Sequence, residues 1–175
     1  EMTWLGHATF RFRTGDGTTV IVDPWLAGNP SCPEAEHTQE RVDAIFITHG
    51  HFDHMADAEP LAKAHACPVF AIHEIAVYLE GQGVEGVVGL NKGGTVDLNG
   101  VKVTMVHAVH SSSFGGEAGP NVPGTECGFM IAGEGHTIYV SGDTDVMADM
   151  KVFNDLHAPD IGIFCAGGHF TMDMR

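Results

Sequence analysis

Ala44 to Thr48 is a short strand-length run of core character, and four ligand-type side chains follow it at once in His49-Gly50-His51-Phe52-Asp53-His54. A strand with no polar face belongs in the interior of a sheet, covered on both sides, which is the habit of parallel strands. Loops leaving such strands are where an α/β scaffold carries its reactive groups. The run therefore constrains the fold and the chemistry together.

The remaining pattern agrees with an α/β fold. Met2-Thr3-Trp4-Leu5 opens in strand pattern, and Thr9 to Arg13, the turn Gly15-Asp16-Gly17, and Thr19 to Val22 read as a hairpin. Thr95 to Leu98 and Val101 to Val106 flank Asn99-Gly100, which suits a type I′ turn. Gly128 to Ala132 and Thr137 to Ser141 make a further hairpin, and Val69 to Ile72 and Ile161 to Phe164 two more strands. Helical spacing runs from Asp57, placed to cap it, to His65, then over Glu74 to Glu80, and from about Met147 to Leu156. Residues 111–124 hold Ser, Gly and Pro and little that packs, so a long surface loop is expected there. Early hairpins followed by strands interleaved with helices point to sheets packed face to face with helices outside, an αββα sandwich spanning 1–175 as a single domain.

Composition narrows the function. With 23 acidic residues against 8 Lys and Arg the formal net charge is −15, which repels a phosphate backbone and argues against a nucleic-acid partner. The twelve His outnumber Lys and Arg together, a balance that points to metal ligation. Cys32, Cys67, Cys127 and Cys165 form no Cys-x-x-Cys pair and read as reduced thiols. No apolar run approaches the roughly 18 residues of a membrane span, and the opening strand leaves no room for a signal peptide, so no membrane partner and a cytoplasmic location are expected. A homo-oligomer stays open.

His49 and His51 sit two apart in extended chain, so both imidazoles lie on one side. Asp53 and His54 follow directly before a helix, and the four groups can serve two metals if they split into pairs. Imidazole and carboxylate suit zinc, iron or manganese. His110 and Asp143 also stand at strand ends. Each has a plain alternative, a buried structural His and a helix cap, but beside the first cluster both read as ligands.

His49-x-His51-x-Asp53-His54 followed by a single His and a single Asp at strand ends resembles the metallo-β-lactamase superfamily. Trp4-Leu-Gly-His7-Ala-Thr, Asp23-Pro-Trp-Leu-x-Gly-Asn29-Pro30, Asn91-x-Gly93-Gly94, Gly142-Asp143-Thr and Gly167-Gly168-His169-Phe170-Thr171-Met172 are similar to its UlaG-like branch of metal-dependent hydrolases, which includes ascorbate-6-phosphate lactonases. The resemblance implies His49, His51 and His110 on one metal, Asp53 and His54 on a second, and Asp143 bridging, with zinc or manganese ahead of iron. It implies that Asp23 hydrogen-bonds a ligand His, and that His7 and His169 touch a ligand or the substrate; His107 is read as a strand residue. In the family a helix, a strand and a final His follow the Phe-Thr-Met motif. Here the sequence stops at Arg175, so the expectation is a fold short of that end and a second metal short of one ligand.

The chemistry implied is hydrolysis of a small ester or lactone by water activated between two metals, with Asp53 as general base and then proton donor. No Gly-x-Ser-x-Gly elbow offers a serine nucleophile, and Ser111 to Ser113 read as loop polarity. The rivals are a phosphodiesterase of the same fold, disfavoured for polymers by the charge, and a catalytically inactive metal-binding module. A di-iron redox protein would be expected to carry a carboxylate where His51 stands.

Overall fold

The computed structural model describes residues 1–114 and 122–174, which separate into two compact units: 1–90 with 112–124, and 91–111 with 125–175.

The first unit is built on a six-stranded sheet whose spatial order follows the chain. β1 (Met2–Trp4), β2 (Phe10–Arg13) and β3 (Thr19–Val22) pair antiparallel, with Phe12 opposite Val20. The expected hairpin forms, and its turn is held by the Asp16 carboxylate accepting from the Thr18 N–H at 3.0 Å. β4 (Ala44–Phe46), β5 (Val69–Ile72) and β6 (Val87–Leu90) then add in parallel. Every residue of β3, β4 and β5 is buried, as strands covered on both faces require. The crossovers are helical: α1 (Phe52–Met55) and α2 (Ala58–His65) join β4 to β5, and α3 (His73–Gly81) joins β5 to β6. α2 buries Ala58, Leu61 and Ala62 and ends where Ala66 turns left-handed at φ 51°. At the edge, Arg11 grips Glu36 with two N–H groups, at 2.6 and 3.3 Å, and Gln39 at 2.8 Å.

In the second unit β7 (Thr95–Leu98) and β8 (Val101–His107) form the expected hairpin, with Asn99 at φ 53° and Gly100 at φ 88°, both positive as a type I′ turn demands. The chain then returns to the first unit, where β9 (Ser113–Phe114) pairs antiparallel with β10 (Val122–Pro123). The surface loop expected over 111–124 is thus interrupted by a short ladder at its two ends, while residues 115–121 lie outside the described residues. β11 (Cys127–Gly133), β12 (His136–Val140), α4 (Asp149–His157) and β13 (Ile161–Ile163) complete the second unit. Its sheet runs β13-β12-β11-β8-β7, antiparallel except where β13 joins β12 across the α4 crossover. Val106, Met130 and Tyr139 pack beneath Met150 and Phe153 of α4.

Asp57 does not cap α2 as its position suggested. Its side chain makes no cap hydrogen bond and instead accepts from the Leu26 N–H at 2.5 Å, tying the Asp23–Leu26 segment to the helix start. The α/β class stands. Among the described residues no helix is long and apolar enough to cross a membrane, and the four cysteines form no disulfide.

Candidate metal centre

The first unit brings His49, His51, Asp53 and His54 together around Asp23 and Thr48. Beyond β4 the chain stays in the sheet long enough for Ile47 N–H to reach Phe70 O, then leaves as Gly50 N–H finds Ser112 Oγ at 3.0 Å. That serine, expected to be mere loop polarity, holds the histidine loop. His51 is the last extended residue, at φ −66° and ψ 146°, and α1 then sets Asp53 and His54 on its single turn.

Asp23 follows β3 with φ 51°, a left-handed conformation uncommon for anything but glycine. Its carboxylate is buried and accepts three hydrogen bonds: Thr48 N–H at 2.7 Å, Thr48 Oγ1–H at 2.6 Å and His54 Nδ1–H at 2.8 Å. These contacts settle the protons. Thr48 has one hydroxyl hydrogen and gives it to the Asp23 carboxylate, which can only accept. Thr48 Oγ1 must then accept from His49 Nδ1 at 3.0 Å. His49 and His54 are therefore both held with the proton on Nδ1 and the lone pair on Nε2, the form in which imidazole ligates a metal.

The donor set fits a divalent cation. His49 Nε2 and His51 Nδ1 lie 3.0 Å apart, near the roughly 3.3 Å of two imidazoles on one tetrahedral zinc with bonds of about 2.0–2.1 Å. In a second grouping, ligand atoms of His7, Asp53 and His54 lie within 4.8 Å of one another. His7 Nε2 is 3.0 Å from Asp53 Oδ2. The His7 hydrogen bond holds the Asp53 carboxyl below the usual carboxylate range, and partial burial opposes this.

In the second unit His110 Nε2 lies 3.7 Å from Asp143 Oδ2, both side chains 12% exposed. Their loops are pinned to each other: Val109 N–H donates to Thr144 Oγ1 at 3.0 Å, and Asp145 N–H to Val109 O at 2.9 Å. Asp143 lies well before α4, so the helix-cap alternative falls away. His107 is the last residue of β8, with Lys92 Nζ 3.3 Å from its Nδ1. His169 is exposed, its ring against Phe170, and among the described residues it joins no cluster of metal-type donors.

A family model of the β-lactamase superfamily domain matches residues 18–174. The chain belongs to the β-lactamase superfamily. Within the superfamily it is 56% identical to a UPF0173 metal-dependent hydrolase of Dinoroseobacter shibae and 54% identical to one of Paracoccus denitrificans. The alignments cover 100% and 99% of this chain and 76% of each relative. Igni18, a metallo hydrolase of the archaeon Ignicoccus hospitalis, superposes with a TM-score of 0.82 at 30% identity, over 98% of this chain and 72% of that one. The chain is thus a metal-dependent hydrolase of the metallo-β-lactamase fold.

Three features of this superfamily member escaped the sequence. The His7–Asp53 pairing and the Val109–Thr144 clamp join segments far apart in the chain. Thr48, the proton-fixing hydroxyl, carried one local signal: a polar residue closing an otherwise apolar strand.

Proposed function

We propose that the chain hydrolyses a small ester or lactone with two divalent cations, zinc or manganese. His49, His51 and His110 would hold one, Asp53 and His54 the other, with Asp143 bridging. This division of ligands rests on the resemblance of the motifs to the family. The observation that carries the metal reading is the buried Asp23–Thr48 pair, which fixes two imidazoles in the same ligating tautomer.

When bound, two such ions acidify a water and polarise the carbonyl under attack. Asp53 supplies the proton chemistry. Its lowered pKa keeps it a carboxylate at neutral pH, the form that accepts a proton from the attacking water. That proton then passes from the Asp53 carboxyl oxygen to the departing alkoxide. Asp23 and Thr48 keep the imidazoles from rotating and do not exchange protons with substrate. The Trp25 and Phe52 rings meet edge-on at 5.6 Å, and Phe52 precedes Asp53, so an apolar surface borders the base.

Elemental analysis of bound metal, alongside a screen of lactones, esters and phosphodiesters, tests the reading. Metal-dependent turnover of lactones or esters, lost in Asp53→Asn, is the expected result. Turnover of phosphodiesters alone would replace the substrate class, and metal binding without turnover of any of them would favour the inactive binding module.

A further inference from the structure

His7 stands outside the ligand set given above, yet its position is specified by more contacts than an incidental histidine would need. We propose that His7 is a direct protein ligand of the cation held by Asp53 and His54. The inference rests on the dinuclear reading and adds to its second site a side chain from the turn between β1 and β2.

The turn that presents His7 is strained and locked. His7 itself has φ 51° and Gly6 before it φ 95°. A Cβ at Gly6 would lie 2.7 Å from the Ser31 carbonyl carbon and 2.9 Å from the Cys32 nitrogen, so only glycine fits against that backbone. Leu5 N–H bonds Thr9 O at 2.9 Å and Thr9 N–H bonds Gly6 O at 3.0 Å, closing the turn. The Trp4 indole N–H then donates to His7 O at 2.8 Å and fixes the carbonyl at its apex. A non-glycine residue in this conformation costs on the order of 1–3 kcal/mol and persists where its surroundings over-determine it, most often at functional sites.

What the turn secures is the direction of one ring. The His7 imidazole stands edge-on to Trp25, centroids 5.3 Å apart, and edge-on to His54 at 5.4 Å. Its Nε2 thereby reaches Asp53 Oδ2 at 3.0 Å, inside the cluster whose three donor atoms span no more than 4.8 Å. Two imidazoles and one carboxylate form a donor set suited to zinc, manganese or iron. The His7 side chain is 41% exposed, so a cation bound there keeps a face toward solvent. The competing role is a hydrogen bond that merely steers the Asp53 carboxylate. That role would leave cation binding intact when the ring is removed, and a ligand role would not.

The experiment is metal binding by the 175-residue chain and by His7→Gly and His7→Asn. Both replacements tolerate the left-handed backbone, and metal-free thermal unfolding checks that the fold is kept. Cobalt(II) is titrated in, and bound ions per chain and the visible cobalt absorbance are read, with Asp53→Ala as the reference for losing the same site. The expected result is two ions on the parent and one on both His7 variants, or a second ion at least tenfold weaker, with the absorbance change seen in Asp53→Ala. Two ions of unchanged affinity and spectrum in both variants would overturn the inference and leave the dinuclear reading standing. A single ion on the parent would remove the dinuclear reading instead. His7 would then remain a ligand if both variants weaken that ion tenfold as Asp53→Ala does, and would be excluded if they leave it unchanged.

Discussion

Asp23 accepts a hydrogen bond from His54 Nδ1 at 2.8 Å in a place where neither side chain is more than 1% exposed to solvent. The carboxylate also accepts the hydrogen bond from Thr48 Oγ1–H, through which it orients His49. Replacing Asp23 by Ala leaves the Thr48 N–H and the His54 Nδ1–H buried without that acceptor, at about 1–3 kcal/mol each. The two imidazoles also lose their fixed tautomer. Metal affinity should fall by the roughly 10–100-fold usual when a ligand-orienting partner is lost. Denaturant unfolding of the metal-free chain and metal titration separate the two effects; unchanged affinity would show that the histidines orient themselves.

Replacing His49 and His51 together by Ala should abolish hydrolysis and release the ion that this pair holds, because the pair whose nitrogens lie 3.0 Å apart is removed. The separate donor grouping of His7, Asp53 and His54 is left in place. Elemental analysis after dialysis is the check: the double variant should hold one ion fewer than the parent, and an unchanged metal content would end the assignment of His49 and His51 as ligands.

Asp53→Asn preserves shape and one oxygen donor but cannot take up a proton. The rate should drop by about 10²–10⁴, the usual contribution of general acid–base help, while metal-free thermal stability changes little. Steady-state turnover at saturating metal measures it, and near-normal turnover would move the base elsewhere.

Much of this geometry is legible in the residues. The Asn99-Gly100 hairpin and the doubly buried strand before His49 follow from local pattern, and the ligand run is visible because its donors are adjacent in sequence. What escapes is tertiary. Asp57 offers a carboxylate at a helix start, and nothing local reveals that it serves Leu26, 31 residues away. β6 was missed because Val87-Val88-Gly89-Leu90 has neither period-2 alternation nor a turn signal close before it other than Gly86. α1 was missed because a single four-residue turn is too short to show helical periodicity. His7 read only as part of a motif near the centre, since its partner Asp53 is reached through a fold and not through spacing.

The Arg11–Glu36 pair gives the fold a pH dependence of known sign. The Arg11 hydrogen bond lowers the Glu36 pKa against the opposing effect of burial. A depressed carboxyl pKa stabilises the folded state above the unfolded value of about 4.3, and that contribution is lost as pH falls through the lower folded value. A partly exposed pair of this kind contributes about 0.5–1 kcal/mol. Urea unfolding should therefore place Glu36→Gln that far below the parent at pH 7, with the gap closing under acid. A gap independent of pH would mean that packing, not charge, is what the substitution removes.

The parallel half of the first sheet also dictates when the metal loop can exist. β7 and β8 meet across a two-residue turn, which closes in microseconds, whereas β3, β4 and β5 meet only after long intervening segments have been brought back at a cost in chain entropy. The histidine loop hangs from the end of β4, so its geometry is assembled among the last steps of the folding reaction. In pulsed hydrogen exchange during refolding, the amides of Val103 and Met105 should gain protection before those of Ile45 and Ile47. A cation added at the start should leave the folding rate unchanged and slow only unfolding: it arrives as a lock on a finished frame, not as the nucleus around which the frame condenses.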